Sequence, residues 1–290
     1  MIPAAFDYHR PASLDEATGL LARFGNDAKV LSGGMSLLPM LKLRLAAVGH
    51  LVDINRIPGL DTIKEEGGVL RIGANTRQSA LERSELIRTK YPILADAVPL
   101  IADPLVRNRG TIGGNIANCD PANDHPAIAI ALGATLVLRG PKGERSIAAN
   151  QFYKDLYTTA LAAGEILTEI RIPLPPARSG GAYAKLKRKT GDFTVAAAAV
   201  QLTLDAKGAV ERAAIALTNA GPTPVEATEA AKFLVGKTPS ESIIAEAAGM
   251  AAKRSAPSAD HRGSVEYKRD MARVMVARAL QKAAQRAGGK

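Results

Sequence analysis

Apolar and polar positions recur along this chain with two different periods, and each period predicts its own kind of element. Residues 13–24, SLDEATGLLARF, set Leu14, Ala17, Leu21 and Phe24 three or four apart, the spacing of one helical face. Ser13 and Glu16 stand ahead of that run as a capping box does, so a helix is predicted to begin there. A short strand over 29–31 leads into LSGGMSLLP (31–39), and a second helix is predicted from near Ser36. Pro39 falls in its first turn, where a missing N–H costs little. HLVDI (50–54) and GVLRIGANT (68–76) read as strands, 77–101 as mostly helical, 124–133 as helical and TLVLR (135–139) as a strand.

The pattern then breaks. IRIPLPPARSGG (170–181) has the prolines and glycines of a boundary segment and is expected to link two units. Beyond it AYAKLKRK, VAAAAVQLTLD and VERAAIALTN alternate as three consecutive antiparallel strands, and the chain from about Thr228 is helical. The expectation is an α+β protein of two domains, 1–177 (lobes about 1–60 and 61–177) and 178–290.

Composition narrows the chemistry. With 290 residues, 47% of them hydrophobic, the chain can bury a sizeable core. It has no apolar stretch of the ~20 residues a membrane span needs and no signal-like N-terminus, so a soluble, cytoplasmic protein is expected. Cys119 is the single cysteine, which excludes an internal disulfide and a cysteine-ligated iron–sulfur cluster held by this chain alone. His9, His50, His125 and His261 fall at no metal-ligand spacing, so any redox metal is expected on another chain. His125, in NDHPA, is expected to cap or pack at the start of the following helix, and Cys119 to fill space. The net charge of +10 suits an anionic ligand or an acidic partner. Nucleic acid is disfavoured, because 4% aromatic residues and no Trp make a poor stacking platform.

The candidate chemistry lies in two loops, LSGGMSLLP (31–39) and LVRNRGTIGGNIAN (105–118), each with paired glycines, a hydroxyl residue and a helix start. Bare backbone lets consecutive N–H groups converge on an anion, and a helix N-terminus behind them adds to the attraction. Two such loops suit a diphosphate gripped from both sides. The same glycines also suit turns where backbones simply pack closely, and the residues alone leave both readings open. No G-x-G-x-x-G after a strand, no G-x-x-x-x-G-K-[ST], no G-x-S-x-G and no H-E-x-x-H is present, so Rossmann, phosphate-loop, hydrolase-elbow and zincin chemistry lack support.

AKVLSGGMSLLPMLKLRLA (28–46), HLVDINRIPGL (50–60), LIADPLVRNRGTIGGNIANCDPANDHPA (100–127) and YAKLKRKTGDFTVAAAAV (183–200) together resemble the FAD-binding medium subunit of molybdenum hydroxylases. That family includes the medium subunits of aerobic carbon monoxide dehydrogenases and, more distantly, the FAD-binding part of xanthine dehydrogenase. The resemblance implies a two-lobed FAD-binding domain of the vanillyl-alcohol oxidase type. A small C-terminal α+β domain, a three-stranded antiparallel sheet plus helices, is implied to follow it. It also implies noncovalent FAD lying extended between the lobes. Val30, Leu31, Ser32, Gly33, Gly34, Met35, Ser36 and Leu37 match the first diphosphate loop, and Thr111, Gly113, Gly114 and Asn115 the second. Ile101 and Ala102 fall beside the flavin, and Asn118, Asn123 and Asp124 on the stretch that meets the adenosine half, where Asp124 would accept from ribose hydroxyls. Leu167 and Lys185 approach the flavin from the far side of the cleft, Lys185 bringing positive charge. Where relatives commonly have His, this chain has Met35, which removes one candidate for a histidyl–flavin bond.

By the same resemblance the chain is an electron-transfer subunit with no catalytic acid, base or nucleophile of its own. Electrons would come from 2Fe–2S clusters of a small subunit, fed by a large molybdenum-cofactor subunit, and leave to an external acceptor. The implied assembly is a dimer of such three-chain units, a heterohexamer. A stand-alone FAD-dependent oxidoreductase on the same scaffold is the alternative enzyme, and a basic nucleic-acid-binding module the non-enzyme one.

Overall fold

The computed structural model describes residues 2–289 and builds the chain from three sheets and a small ribbon. The first sheet is parallel, with β1 (Asp7–His9), β2 (Ala28–Leu31) and β3 (His50–Asp53) in the order β1-β3-β2. The helix Leu14–Phe24 covers it, turning Ala17 and Leu21 onto Ala28, Val52 and Ile54. Ser13 Oγ accepts from the Glu16 N–H at 3.2 Å, and the Glu16 carboxylate accepts from the Ala12 N–H at 2.8 Å, one residue earlier than a capping box expects.

The second sheet contains β4 (Ile63–Glu66), β5 (Val69–Gly73), β6 (Thr135–Gly140) and β7 (Gly143–Ala148). The ribbon β8 (Tyr153–Asp155) and β9 (Thr158–Thr159) follows in the chain, and β10 (Ile166–Pro173) returns to the middle of that sheet, in the order β4-β5-β10-β6-β7. Its buried face carries the main core, with Leu70, Ile72, Leu136, Leu138 and Ile170 packed against short helices. The stretch 77–101 is helical as expected but divided into Gln78–Arg83, Glu85–Lys90 and Pro92–Ala97, because Ser84 caps the second of these and Pro92 opens the third.

The third sheet is antiparallel: β11 (Ser179–Leu186), β12 (Ala196–Leu204), β13 (Val210–Thr218) and β14 (Val225–Glu226). It has four strands where three were expected, since Val225–Glu226 adds a short edge on β13 behind the turn GPTP. The helices Val265–Ala287 and Thr228–Leu234 pack on its alanine-rich face, and Glu241–Arg254 packs against both of them. The boundary segment 170–181 is largely strand, its first residues completing β10 and its last beginning β11. Gly180 is there because the last helix passes close by: a Cβ would lie 2.1 Å from the Ala283 carbonyl oxygen. Among the described residues no helix is long and apolar enough to cross a membrane.

Candidate functional site

A cleft of about 700 Å³ opens where the three sheets meet. It is bordered by Val30, Ser32 to Leu37, Ile101, Ala102, Thr111, Gly113 to Asn115, Asn118, Asn123, Asp124, Leu167 and Lys185. Of the residues expected at the site only Leu31 is absent from the lining. It ends β2 and tucks its side chain beneath the first loop, 3.2 Å from where a Cβ at Gly34 would stand.

The two loops touch. A Cβ on Gly33 would lie 2.5 Å from the Arg109 carbonyl oxygen, and one on Gly113 would lie 2.5 Å from the Ala74 Cβ. Gly34 has φ +75°, a left-handed backbone that reverses the chain between β2 and the helix Leu37–Lys42. Polar side chains sew the contact. Ser32 Oγ donates to Asn75 Oδ1 at 2.5 Å and lies 2.9 Å from Thr111 Oγ1, while Asn55 Nδ2 donates to the Ser32 carbonyl at 2.8 Å. Arg77 donates to Asn55 Oδ1 and to the Arg109 carbonyl. Asn55, Asn75 and Arg77 escaped sequence reasoning because nothing in periodicity or spacing marks a side chain that bonds across forty residues. Gln78, Asp192 and Phe193 also border the cleft unannounced.

The loops differ in what they offer a ligand. Among the described residues, the backbone N–H groups of Gly33, Gly34, Met35, Ser36 and Leu37 meet no acceptor of this chain, so a row of donors faces the cleft. The second loop is already satisfied. The N–H groups of Ile112, Gly113 and Asn115 donate to the carbonyls of Thr76, Ala74 and Thr111 at 3.0, 2.9 and 3.1 Å, and that of Gly114 to Thr111 Oγ1 at 3.0 Å. The two loops are therefore not equivalent: the first presents open donors, and in the second Gly113 packs on Ala74 while the first loop packs against Arg109 and Gly110.

Asp124 and Lys185 line the cleft as a pair. Lys185 belongs to the basic run KLKRK, yet its side chain is only 2% exposed, and its Nζ donates to Asp124 Oδ2 at 2.8 Å and to the Leu100 carbonyl at 3.3 Å. Asp124 Oδ1 also accepts from Tyr183 Oη at 2.5 Å and Thr194 Oγ1 at 3.0 Å. Three donors from the C-terminal domain thus occupy this carboxylate, which leaves it a poor free acceptor for ribose hydroxyls. Asp124 and Lys185, expected on the adenosine stretch and beside the flavin, form one ion pair. Leu21, Lys29 and the segment from Leu161 to Leu167 also line the cleft.

His125 packs at the start of the helix Asp124–Ala131, as expected. Its N–H donates to Asn115 Oδ1 at 3.2 Å and its Nε2 meets Gln78 Oε1 at 2.8 Å, which makes Nε2 the protonated nitrogen. Nδ1 is buried without a partner. Burial, aided by Lys185 and opposed by Asp124, pushes its pKa down to about 4, so it is neutral near neutral pH. Cys119 is a buried filler, its thiol 3.5 Å from the Thr158 carbonyl, and burial pushes its pKa up.

Residues 4–175 match the family model described as the FAD binding domain in molybdopterin dehydrogenase, and residues 181–283 match the CO dehydrogenase flavoprotein C-terminal domain. The chain is 49% identical over 287 residues to the carbon monoxide dehydrogenase medium chain of Afipia carboxidovorans, covering 99% of both. A chain of carbon monoxide dehydrogenase from Hydrogenophaga pseudoflava, solved without the Mo-pyranopterin moiety of its molybdenum cofactor, superposes with a TM-score of 0.96 at 49% identity over 99% of both chains. A chain of quinoline 2-oxidoreductase from Pseudomonas putida 86 gives a TM-score of 0.92 at 35% identity, again over 99% of both.

Proposed function

The chain belongs to the family of FAD-binding subunits of molybdopterin dehydrogenases, and from that premise we propose that it is the electron-transfer flavoprotein of a molybdenum hydroxylase. Electrons from substrate oxidation at a large molybdenum-cofactor subunit reach it through the 2Fe–2S clusters of a small subunit and leave to an external acceptor. The observation that carries this reading is the row of unbonded N–H groups from Gly33 to Leu37 inside a 700 Å³ cleft, a fitting seat for the diphosphate of FAD. When bound, FAD supplies the redox chemistry, taking up electrons that arrive singly and releasing them in pairs.

This chain's residues bind, orient and shield. The first loop holds the diphosphate through main-chain donors, and Ile101 and Leu167 form apolar wall that keeps water out. Lys185 and Asp124 set a closed ion pair into the cleft wall, which fixes both side chains there with little net charge. Met35, which borders the same loop, offers no imidazole for a covalent link, so FAD is held noncovalently. Metal centres belong to the partners: among the described residues no group of three or more His, Cys, Asp or Glu could hold an ion. The assembly is a dimer of heterotrimers in the cytoplasm.

The test is an absorption spectrum of the complex co-expressed with its partner subunits, followed by acid release of the chromophore. About one FAD per copy of this chain is expected. A colourless complex that takes up no added FAD overturns the reading, and turnover by the isolated chain would replace it with a self-sufficient flavoenzyme.

A further inference from the structure

Behind the cleft wall one cation has only neutral partners. Arg77 is half-buried, and its guanidinium donates to the Asn55 side-chain oxygen and to the Arg109 carbonyl; among the described residues no carboxylate pairs with it. Through Asn55, whose Nδ2 donates to the Ser32 carbonyl at 2.8 Å, it grips the first loop. Through Arg109 it grips the second, at the very oxygen against which Gly33 packs. Its main chain bridges to Thr111, and the next N–H, of Gln78, donates to the Gly110 carbonyl at 2.9 Å. Arg77 is therefore fastened to both sides of the loop contact.

Holding a cation there is unfavourable in this chain by itself. Burial, first, and the neighbouring Arg109 push the guanidinium pKa down, and Asp53, to which Asn55 Nδ2 donates at 2.6 Å, and Asp61 counter them in part. A half-desolvated charge with neutral partners is compensated when an opposite charge arrives nearby. The open N–H groups that would receive an anion lie on the loop that Arg77 secures.

We propose that Arg77 is a positioning residue for the cofactor's diphosphate: its fork fixes the spacing of the two glycine loops, and its only partly compensated charge stands behind the N–H row. This rests on the FAD reading above. A planar fork with several donors can hold Asn55 and Arg109 together; a lysine keeps the charge but not the fork.

The experiment titrates FAD, and separately riboflavin, into cofactor-stripped complex bearing Arg77, Arg77→Met or Arg77→Lys, at low and high ionic strength. Arg77→Met is expected to lose at least tenfold in FAD affinity at low salt, with the gap narrowing as salt screens the charge. Riboflavin, which has no diphosphate, should bind all three alike, and Arg77→Lys should keep the salt-sensitive part of FAD affinity. Unchanged FAD affinity in Arg77→Met overturns the proposal, as does a loss shared by riboflavin and indifferent to salt, the mark of a purely structural role. If Arg77→Met does not assemble, Arg77→Lys decides: FAD affinity that no longer responds to salt overturns the proposal. FAD failing to bind the unsubstituted complex would instead remove the flavoprotein reading itself.

Discussion

At Gly33 an added methyl group would sit 2.5 Å from a backbone carbonyl oxygen that cannot step aside, because Arg77 holds it. Gly33→Ala is therefore expected to cost about 1–3 kcal/mol and to weaken FAD binding together with stability. Gly19, in the exposed flank of the helix Leu14–Phe24, has nothing within 4 Å of its would-be Cβ. Gly19→Ala should stabilise the chain by about 0.5–1 kcal/mol, and paired urea titrations of the two variants check both signs. His125 gives a second expectation at this scale. Its folded pKa of about 4 lies below the usual 6.5, so the unfolded chain binds a proton first as pH falls. Its contribution to stability is complete above about pH 6.5 and declines toward pH 4, by about 3 kcal/mol at most. His125→Gln should flatten that part of the stability–pH profile measured by urea unfolding; an unchanged slope would assign it to another group.

Among the elements, those with a clean period were legible. The helix 13–24, the strands at 50–54 and 135–139 and the three long strands of the C-terminal sheet all stand close to where alternation put them. β10 was not legible, although it is the centre of its sheet. Glu169 and Arg171 alternate with the buried Ile170 and Ile172, but the buried Ile166, Leu167 and Thr168 before them break the alternation, and the final proline and the glycines of β11 imitate a linker. In the site, residue types disclosed the loops, but which N–H groups remain open depends on Ala74 and Thr76, partners set by tertiary packing alone. The same kind of remote pairing joins the last helix to the rest. Asp96 accepts from Arg286 and Lys282 of the helix Val265–Ala287, at 2.7 and 2.8 Å, and from the Tyr183 N–H of β11 at 3.3 Å. Burial would raise its pKa, but those two cations outweigh burial and hold it below the usual carboxylate value of 3.8. Its contribution is thus present above that value and lost as pH falls through the folded one. Asp96→Asn should lower stability by about 1–3 kcal/mol at pH 7. The difference from the unsubstituted chain should shrink in acid unfolding near pH 3.

At the scale of the molecule, the C-terminal domain is part of the cleft rather than an appendage to it. Lys185, Tyr183 and Thr194 all converge on Asp124, the first residue of a helix in the other domain. Asp124→Ala would leave a buried ammonium without its counter-charge, and a loss of about 3 kcal/mol is expected. Limited proteolysis should then cut within 174–178, the loop between β10 and β11, faster than in the unsubstituted chain; equal cutting rates would show that the domains stay joined without this carboxylate. The donors of the first loop belong to the main chain, and that separates what the loop can exchange from what it cannot. A side chain at position 35 can be replaced without altering any donor that borders the cleft, whereas a Cβ at 33 or 34 would meet other atoms within 3 Å. Met35 is thus a replaceable fitting on a backbone that does the gripping.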